Sequence, residues 1–375
     1  MKILIGVDSF KDSLSAIDVS KSIKKGIIKV NNRVEIMEIP LADGGEGTME
    51  IIVNNLNGKI INTKVVGPLG EKINGSYGIV DEDIAIIEMA TVAGLELLKE
   101  KDRNPSKTTT YGVGQLILDA LDKGCKEFVV AIGGSSTNDG GIGLARALGV
   151  KFLDNKNSEI ELNGNGLKDL VNIDISEIDK RIKESKFQVA CDVDNVLCGE
   201  NGAAYVYARQ KGANDKMIEM LDKNLFNLSE VIKKDLGKDV LNIKGAGAAG
   251  GLGGGLVAFL DASLKSGFDI VSNILNLESE IKSCDLVITG EGSFDYQSLN
   301  GKVPIGVAKL AKKYNKKVIV IAGSVGEISE EIYENGVTSV FSIISKPSTL
   351  EELINKKTTE NSLESLAEQI IRLLA

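Results

Sequence analysis

Lys2-Ile3-Leu4-Ile5-Gly6-Val7 opens the chain as a short apolar run that ends at Asp8. Apolar residues then recur at helical spacing from Ser15 to Val30. This spacing predicts a strand, a loop and a helix, and Arg33 to Pro40 supplies a second strand. Strands that alternate with helices in this way indicate a parallel sheet covered by helices.

The C-terminal third repeats the pattern. Strands are predicted at Leu286–Thr289, Lys317–Ala322 and Thr338–Ile344, with helices near Pro304–Lys313 and Glu327–Asn335 between them. Five strands are then available, and the two ends of a chain commonly lie close together. We therefore predict that the first and last segments form one doubly wound α/β domain of flavodoxin type.

The middle of the chain begins differently. Lys59–Val66, Ser76–Val80 and Ile84–Met89 are short strands joined by turn residues, which is typical of an antiparallel meander. Two helices and the later strands Glu127–Ile132 and Phe187–Cys191 complete a mixed α/β unit.

Length and composition support two domains. A chain of 375 residues with 43% hydrophobic content is too long for one ordinary core and apolar enough for two. We predict a discontinuous flavodoxin-like domain at residues 1–58 and 283–375, with an inserted mixed α/β domain at residues 59–282.

Charge and hydropathy limit the partners. The net charge of −9 is spread along the chain with no basic block, so we expect no nucleic acid partner. The longest uncharged stretch, Gly245–Leu260, is mostly glycine and alanine and too short for a membrane span, and the N-terminus shows no export signal. The four cysteines form no C-x-x-C pair, which fits a reduced compartment. We expect a cytoplasmic protein with no membrane contact.

The chain contains no histidine. This excludes the Ser-His-Asp triad and the histidine ligands of zinc and iron sites. Proton transfer and metal binding then depend on Asp, Glu, Lys, Tyr or Cys. Mg²⁺ is the metal expected in such a protein, because it prefers carboxylate oxygens and retained waters.

A glycine-rich turn follows the strand at Glu127–Ile132. Its sequence is Gly133-Gly134-Ser135-Ser136-Thr137-Asn138-Asp139-Gly140-Gly141, and the helical run Ile142–Leu148 comes next. Backbone amides at such a junction can wrap an anion, so we predict contact with phosphate or a nucleotide. The alternative is an ordinary tight turn in which Asp139 caps the helix.

A second glycine segment raises a different alternative. Gly245-Ala246-Gly247-Ala248-Ala249-Gly250 satisfies the G-x-G-x-x-G pattern of dinucleotide-binding proteins. The preceding Val240–Lys244 is a poor buried strand, and the glycines continue to Gly255 instead of stopping at a helix start. We therefore favour close helix packing or a substrate-facing loop. No P-loop sequence is present.

Six carboxylates are predicted in loops where an apolar strand has just ended. They are Asp8, Asp43, Asp139, Asp192, Glu291 and Asp295. Each alone fits a cap or a solvated loop, but phosphoryl transfer uses carboxylates both to hold magnesium and to take a proton. Lys11, Lys211 and Lys302 offer cations for a phosphate or a substrate carboxylate, with a surface role as the alternative for each.

The doubly wound prediction brings some of these residues together. Ligands of such sheets bind outside the carboxyl ends of the strands, where the strand order reverses. We therefore expect the loop at Asp8, Ser9 and Lys11 to lie close to a loop at Gly290-Glu291-Gly292.

Taken together, these strings resemble the bacterial glycerate kinases of the first type, from residue 2 to about residue 350. The motifs that carry the resemblance are Asp8-Ser9-Phe10-Lys11, Ala42-Asp43-Gly44-Gly45-Glu46-Gly47-Thr48, Gly133 to Gly141, Gln210-Lys211-Gly212-Ala213, Gly245 to Gly255, Gly290-Glu291-Gly292 with Asp295, and Gly301-Lys302. Asp12 stands where the family usually has glycine.

The resemblance implies a fold and an activity. The fold is a flavodoxin-like domain that carries an inserted domain similar to restriction endonucleases. The activity is transfer of the γ-phosphate of ATP to D-glycerate, with the 2-hydroxyl as the expected acceptor and Mg²⁺ assisting. The partners are then the small molecules glycerate and ATP, and a homodimer stays open because the sequence is silent on oligomeric state.

Residue roles follow from the motifs and this resemblance. We expect ATP contacts from Gly133, Gly134, Ser135, Ser136, Thr137 and Asn138, and from Gly290, Glu291 and Gly292. Asp192 is the favoured base for the glycerate hydroxyl, with Asp8 and Lys11 as further catalytic residues. The cations available for the glycerate carboxylate are Lys11, Arg209, Lys211 and Lys302. Asp43 or Asp295 is the expected metal ligand.

Two other function classes stay open. An NAD(P)-dependent hydroxy-acid oxidoreductase would use the glycine segment at Gly245, and a non-catalytic nucleotide-binding sensor would keep the glycine turns without turnover. Release of ADP on addition of glycerate separates the kinase from both.

Overall fold

The computed structural model describes residues 1–299 and 301–374. The strands are β1 (Lys2–Val7), β2 (Glu35–Glu38), β3 (Lys59–Val66), β4 (Lys72–Val80), β5 (Ile84–Glu88), β6 (Glu127–Ala131), β7 (Lys151–Leu153), β8 (Asn172–Asp174), β9 (Lys186–Ala190), β10 (Ser263–Lys265), β11 (Leu286–Phe294), β12 (Lys317–Val325) and β13 (Ser339–Ser342). The helices are α1 (Ala16–Val30), α2 (Thr48–Asn55), α3 (Ala90–Ala93), α4 (Tyr111–Asp122), α5 (Ile142–Ala147), α6 (Ala203–Tyr207), α7 (Asp215–Leu236), α8 (Ala248–Leu260), α9 (Gly267–Ile274), α10 (Leu277–Ser283), α11 (Val303–Lys313), α12 (Glu330–Glu334), α13 (Leu350–Ile354) and α14 (Lys356–Leu374).

The chain forms two compact units. Unit 1 comprises Met1–Asp43 and the segment that begins at Phe268, and unit 2 is Gly44–Gly267. The α2 helix packs against β3, β4 and β5 of unit 2, and α10 packs against β1 and α11 of unit 1. The predicted boundaries lie elsewhere, after residues 58 and 282. Compactness does not show which segments fold independently, so the predicted domain limits stay a prediction.

Unit 1 is built on a five-stranded sheet in the order β13-β12-β11-β1-β2. All its strand pairs are parallel, with Ile3 opposite Leu286 and Val7 opposite Gly290. Numbered within the unit, this is the 2-1-3-4-5 order of flavodoxin-like sheets, as the sequence predicted. The strand order reverses between β1 and β11, so ligand-binding groups are expected where these two strands end.

One detail of unit 1 differs from the prediction. Gly290-Glu291-Gly292 was predicted as a loop, which is wrong, because β11 continues to Phe294 and pairs with β12 up to Val325. A side chain on Gly290 would meet the carbonyl oxygen of Ile321 at 2.0 Å. The glycine therefore permits close approach of the neighbouring strand instead of ending its own.

Unit 2 is built on a six-stranded mixed sheet in the order β10-β9-β6-β5-β4-β3. The predicted meander is confirmed, because β3, β4 and β5 pair antiparallel. The other neighbours pair in parallel. Phe128 and Phe187 stack at 4.6 Å within its core. A small antiparallel pair, β7 with β8, was not predicted.

The glycine segment of α8 packs on the turn at 133–141. Ala249, Gly250 and Gly251 have left-handed backbone conformations that interrupt α8, and the Gly140 N–H donates to the Gly250 carbonyl at 3.0 Å. A side chain at Gly250 would lie 2.0 Å from the Thr137 carbonyl oxygen. Residues 240–244 form no strand. This segment therefore supports the turn by close backbone packing, the structural alternative to a dinucleotide site.

Within the described residues, no helix combines the length and apolar character needed to cross a membrane.

Two adjacent glycines of α8 test this packing. A methyl group on Gly255 would lie 2.3 Å from the Gly140 carbonyl oxygen, whereas one on Gly254 meets its nearest atom at 3.3 Å. We expect Gly255→Ala to lower the free energy of unfolding by about 2 kcal/mol through overpacking. Gly254→Ala should change it by less than about 1 kcal/mol, because alanine also favours the helix. Urea unfolding of both variants measures the difference, and equal values would contradict the packing.

Candidate functional site

A group of carboxylates lies where the strand order of unit 1 reverses. Asp8 follows β1, and its backbone N–H donates to the Gly290 carbonyl at 2.9 Å, which sets it beside Glu291. The segment after β2 runs along β1, with the Leu41 N–H donating to the Val7 carbonyl at 2.8 Å, and so carries Asp43 to the same end of the sheet. The sequence prediction that the Asp8 and Glu291 segments meet is confirmed.

The electrostatics of this group follow from burial and crowding. Burial, together with the negative charges of Asp43 and Glu291, raises the pKa of Asp8 to about 7. The Ser9 N–H, which donates to Asp8 Oδ1 at 2.6 Å, opposes this rise. Burial also raises the pKa of Glu291, with Asp295 contributing. The end of the sheet thus places several carboxylates close enough together to raise the pKa values of Asp8 and Glu291.

Glu291 holds two of the neighbouring polar groups. Its side chain is 7% exposed, and its Oε1 accepts a hydrogen bond from Ser298 Oγ at 2.6 Å. Its Oε2 lies 3.1 Å from Lys302 Nζ. The Ser298 hydroxyl oxygen also accepts from the Asp295 N–H at 3.2 Å. Lys302 was predicted to bind substrate, and here its ammonium is paired with Glu291.

The loop after β1 makes a tight turn. Phe10 and Leu14 exchange backbone hydrogen bonds of 2.9 Å, and Asp12 at the tip has a φ of 62°. Glycine is favoured in this conformation, and Asp is one of the few other residues that tolerate it. Asp12, which stands where the resembled family usually has glycine, can therefore adopt the backbone conformation that this turn requires. The Lys11 side chain is exposed and makes no ion pair within residues 1–299 and 301–374.

In unit 2, the predicted turn at 133–141 is anchored by Asp139. This fully buried carboxylate accepts hydrogen bonds from the Thr110 N–H and hydroxyl, both at 2.8 Å, and from the N–H groups of Gly141 at 3.1 Å and Gly143 at 3.4 Å. Burial raises its pKa, and these donors oppose the rise. Asp139 therefore acts as the cap that sequence analysis gave as its alternative role.

The exposed part of the turn is its beginning. Gly133 and Gly134 are exposed, whereas Ser135 is 7% exposed and Ser136, Thr137 and Asn138 are buried. The Ser136 hydroxyl donates to the Ala93 carbonyl at 2.8 Å, away from solvent. Of the six turn residues predicted to contact ATP, Gly133 and Gly134 are therefore open to a ligand, and Ser135 is the least buried of the other four.

Lys211 points into unit 2. Its side chain is 2% exposed, and its Nζ donates to Ser135 Oγ at 2.6 Å and to the Thr137 carbonyl at 2.8 Å. Arg209, two residues earlier, is exposed and paired with Asp215. Neither cation predicted to bind substrate in this segment is free of a protein partner.

Asp192 lies at the carboxyl end of the unit 2 sheet. It follows β9, is exposed, and its Oδ1 accepts a hydrogen bond from the Gly267 N–H at 3.1 Å. Gly44 packs there as well, since a side chain on it would meet Ala190 at 2.7 Å and Gly267 at 2.8 Å. The glycine segment after Asp43 thus adjoins the strand that leads to Asp192.

Sequence reasoning missed three positioning residues. Glu88 ends β5, is 7% exposed, and its Oε1 accepts the Met49 N–H at 2.7 Å, which fixes the start of α2 after the glycines. Thr110 and Ser298 hold Asp139 and Glu291. Two features of the sequence could have indicated them. Glu88 is a charged residue at the end of an apolar strand, and Thr110 belongs to the run of three threonines that precedes α4.

A cavity elsewhere in unit 2 contains none of the predicted site residues. Its volume is about 550 Å³, and its lining includes Ile182, Lys186, Phe187, Phe259, Leu260 and Ser263. Lys186 and Ser263 are the first residues of β9 and β10, so the cavity lies at the opposite end of β9 from Asp192.

Among the described residues, no group of three or more His, Cys, Asp or Glu side chains is arranged to hold a metal.

Comparisons with known proteins give a consistent result. The model of the glycerate kinase family matches residues 3–375. The chain is 47% identical over 374 residues to a glycerate kinase of Halalkalibacterium halodurans, covering 100% of this chain and 97% of that protein. It is 50% identical over 353 residues to a glycerate 2-kinase of Escherichia coli K12, covering 94% of this chain and 93% of that protein. A crystal structure of a glycerate kinase 2 from Salmonella typhimurium LT2 matches with a TM-score of 0.91 and 44% identity, covering 100% of this chain and 98% of that one.

The crowding at Asp8 predicts a gain of stability when its charge is removed. An Asp in an unfolded chain has a pKa of about 3.9, so at pH 8 the folded chain carries a charge that its environment disfavours. We expect Asp8→Asn to raise the free energy of unfolding at pH 8, in EDTA, by on the order of 2 kcal/mol. The gain should shrink toward pH 5, because the folded wild type then binds the proton that relieves the repulsion.

Urea unfolding at the two pH values measures this effect. Asp154→Asn is the control, because the backbone N–H groups of Ser158 and Lys156 lower the pKa of Asp154 and its charge is favourable. We expect no gain from that variant. A stability of Asp8→Asn equal to that of the wild type at pH 8 would show that burial and the neighbouring carboxylates do not disfavour the Asp8 charge.

Proposed function

The chain belongs to the glycerate kinase family, and on that premise we propose that it transfers the γ-phosphate of ATP to D-glycerate, at the 2-hydroxyl, with release of ADP. The family match supports the reaction class and the substrates. The structural observation that carries the chemistry is the group of carboxylates at the strand-order reversal of unit 1, around Asp8, Asp43 and Glu291.

This group fits a magnesium ion. Burial and the neighbouring carboxylates of Asp43 and Glu291 together raise the pKa of Asp8, and carboxylate oxygens are the ligands that Mg²⁺ prefers. Mg²⁺ in kinases is commonly held by one or two carboxylates together with substrate phosphates and waters, so a cage of three protein ligands is not required. We assign Asp43 and Asp295 as its ligands. The ion would neutralise charge that develops on the transferred phosphoryl group.

Asp8 is our candidate for the base that takes the proton of the glycerate hydroxyl. It is partly exposed, stands at the strand-order reversal, and has a raised pKa, which makes it a stronger proton acceptor than an ordinary carboxylate. The sequence favoured Asp192 for this role. Asp192 is exposed and its Oδ1 accepts a hydrogen bond from the Gly267 N–H, so we assign it a supporting role at the end of β9.

The two substrates have different binding groups in this proposal. Gly133, Gly134 and Ser135 offer backbone and hydroxyl donors to the phosphates of ATP. Lys11 binds the carboxylate of glycerate, because its ammonium makes no ion pair among the described residues, whereas Lys302 is paired with Glu291 and Arg209 with Asp215. We further propose that the enzyme works in the cytoplasm, since its cysteines are all free.

The reaction itself gives a direct prediction. ADP release from ATP should depend on D-glycerate, stop in EDTA and return with Mg²⁺, and ³¹P NMR should identify the product as 2-phosphoglycerate. Asp43→Asn should need at least tenfold more Mg²⁺ for half-maximal rate, because a ligand carboxylate is lost. NAD(P)-dependent oxidation of glycerate without ADP release would overturn the proposal.

The choice of base is tested by two amide variants. Asp8→Asn should lower kcat by at least 10²-fold, the usual contribution of a positioned general base. Asp192→Asn should lower it by less than about tenfold, because the amide oxygen can still accept the Gly267 N–H. The reverse order of effects would return the role of base to Asp192.

A further inference from the structure

Lys211 is a buried lysine that makes no ion pair with any residue that the structure describes. It ends the 3₁₀ turn Arg209–Lys211 and is 2% exposed. No carboxylate of the described residues lies within 4.0 Å of its Nζ, and the oxygens of Asp139 in the same region are already bonded to Thr110, Gly141 and Gly143. Burial lowers the pKa of Lys211 to about 7, with the charge of Asp139 opposing. A buried cation of this kind is costly, so its hydrogen bonds must serve the structure or the function.

Both hydrogen bonds of Lys211 go to the turn at 133–141. Its Nζ donates to Ser135 Oγ at 2.6 Å and to the Thr137 carbonyl at 2.8 Å. The side chains of Thr137 and Asn138 do not add to this support, because Thr137 Oγ1 and both polar side-chain atoms of Asn138 are buried without hydrogen-bond partners among the described residues. The neighbouring Ser136 carbonyl accepts from the Thr108 hydroxyl at 2.9 Å. Lys211 therefore fixes the part of the turn that lies next to the exposed Gly133 and Gly134.

The bond to Ser135 also sets the direction of its hydroxyl. In this pair Lys211 Nζ donates and Ser135 Oγ accepts, which is the direction that the protonated lysine requires because an ammonium only donates. The hydroxyl proton of Ser135 is then directed elsewhere, and no acceptor for it is found in residues 1–299 and 301–374. A serine in this state can donate a hydrogen bond to an anion that reaches the turn.

We propose that Lys211 is a positioning residue that acts through Ser135, holding the serine hydroxyl as a hydrogen-bond donor to a phosphate oxygen of ATP. This inference rests on the proposed kinase function. It replaces the expectation that Lys211 binds glycerate directly. Lys211 lies behind the turn, and the ligand contacts are made by Ser135 and the exposed glycines.

A double-mutant cycle tests the proposal. Steady-state kinetics of wild type, Ser135→Ala, Lys211→Met and the double variant give kcat and the KM values for ATP and glycerate. We expect Ser135→Ala to raise the KM for ATP about tenfold, the order that a lost hydrogen bond to a charged group gives. Lys211→Met should raise it at least as much. The double variant should match Lys211→Met, because both changes remove one interaction, and the KM for glycerate should stay within about twofold.

A matched lysine separates positioning from general stability. Lys238 is half-buried in the same unit and donates to the carbonyls of Val257 at 3.3 Å and Ala258 at 2.6 Å and to Asp261 Oδ1 at 2.5 Å. Lys238→Met therefore removes lysine–carbonyl hydrogen bonds together with an ion pair to an exposed carboxylate. We expect that control to lower the melting temperature without raising the KM for ATP. If Lys211→Met does not fold, the KM for ATP is compared between Ser135→Thr and Ser135→Ala. Only the threonine keeps a hydroxyl, so we expect Ser135→Thr to keep this KM within about threefold of the wild type.

The outcomes distinguish this proposal from the proposed function. Absence of glycerate-dependent ADP release by the wild type would refute the kinase function itself. An active wild type in which the two substitutions act additively on the KM for ATP would refute the link between Lys211 and Ser135. A rise in the KM for glycerate alone on Lys211→Met would restore the direct substrate role.

Discussion

Crowding of negative charge at the strand-order reversal of unit 1 is the constraint on which the proposed chemistry depends. The parallel pairing of β1 with β11 puts Asp8 beside Glu291, and the segment that follows β2 brings in Asp43. Lys302 neutralises Glu291 only. The raised pKa of Asp8 shows that its charged form is disfavoured here, so binding of a proton, or of the cation that we propose, would stabilise the group. Stored unfavourable charge of this kind is common at functional sites.

Unit 2 meets a different constraint, which is to hold a glycine-rich turn in one conformation. Glycines alone would leave the turn loose, so the fold fixes it from three sides. Asp139 ties it to Thr110, the α8 segment packs on its backbone through Gly250 and Gly255, and Lys211 bonds to its middle. The result leaves Gly133 and Gly134 exposed on a rigid support, which suits the phosphate contact that we propose for them.

Much of the fold could be predicted from the sequence, because strands and helices alternate with clear periods and the order of strands in the two terminal segments admits few topologies. The ends of strands were less predictable. Gly290 and Gly292 looked like the start of a loop, whereas they lie in β11, because glycine there serves close approach to β12. Glycine is common both at the start of a loop and at a close approach between strands. Only the position of the neighbouring strand, which the sequence does not give, distinguishes the two cases.

The site was predictable in its residue types and less so in their roles. Asp8, Asp43 and Glu291 follow from strand ends and topology alone. The inward direction of Lys211 does not, because a lysine in a short polar segment is ordinarily exposed and only tertiary contacts reveal its burial.

Carboxyl ¹³C NMR of selectively labelled, metal-free protein, with the Asp8 signal assigned through the asparagine variant, tests the central claim most directly. The account predicts that Asp8 titrates near pH 7 and that Mg²⁺ with ADP lowers this value; titration near pH 4, unchanged by Mg²⁺, would contradict it.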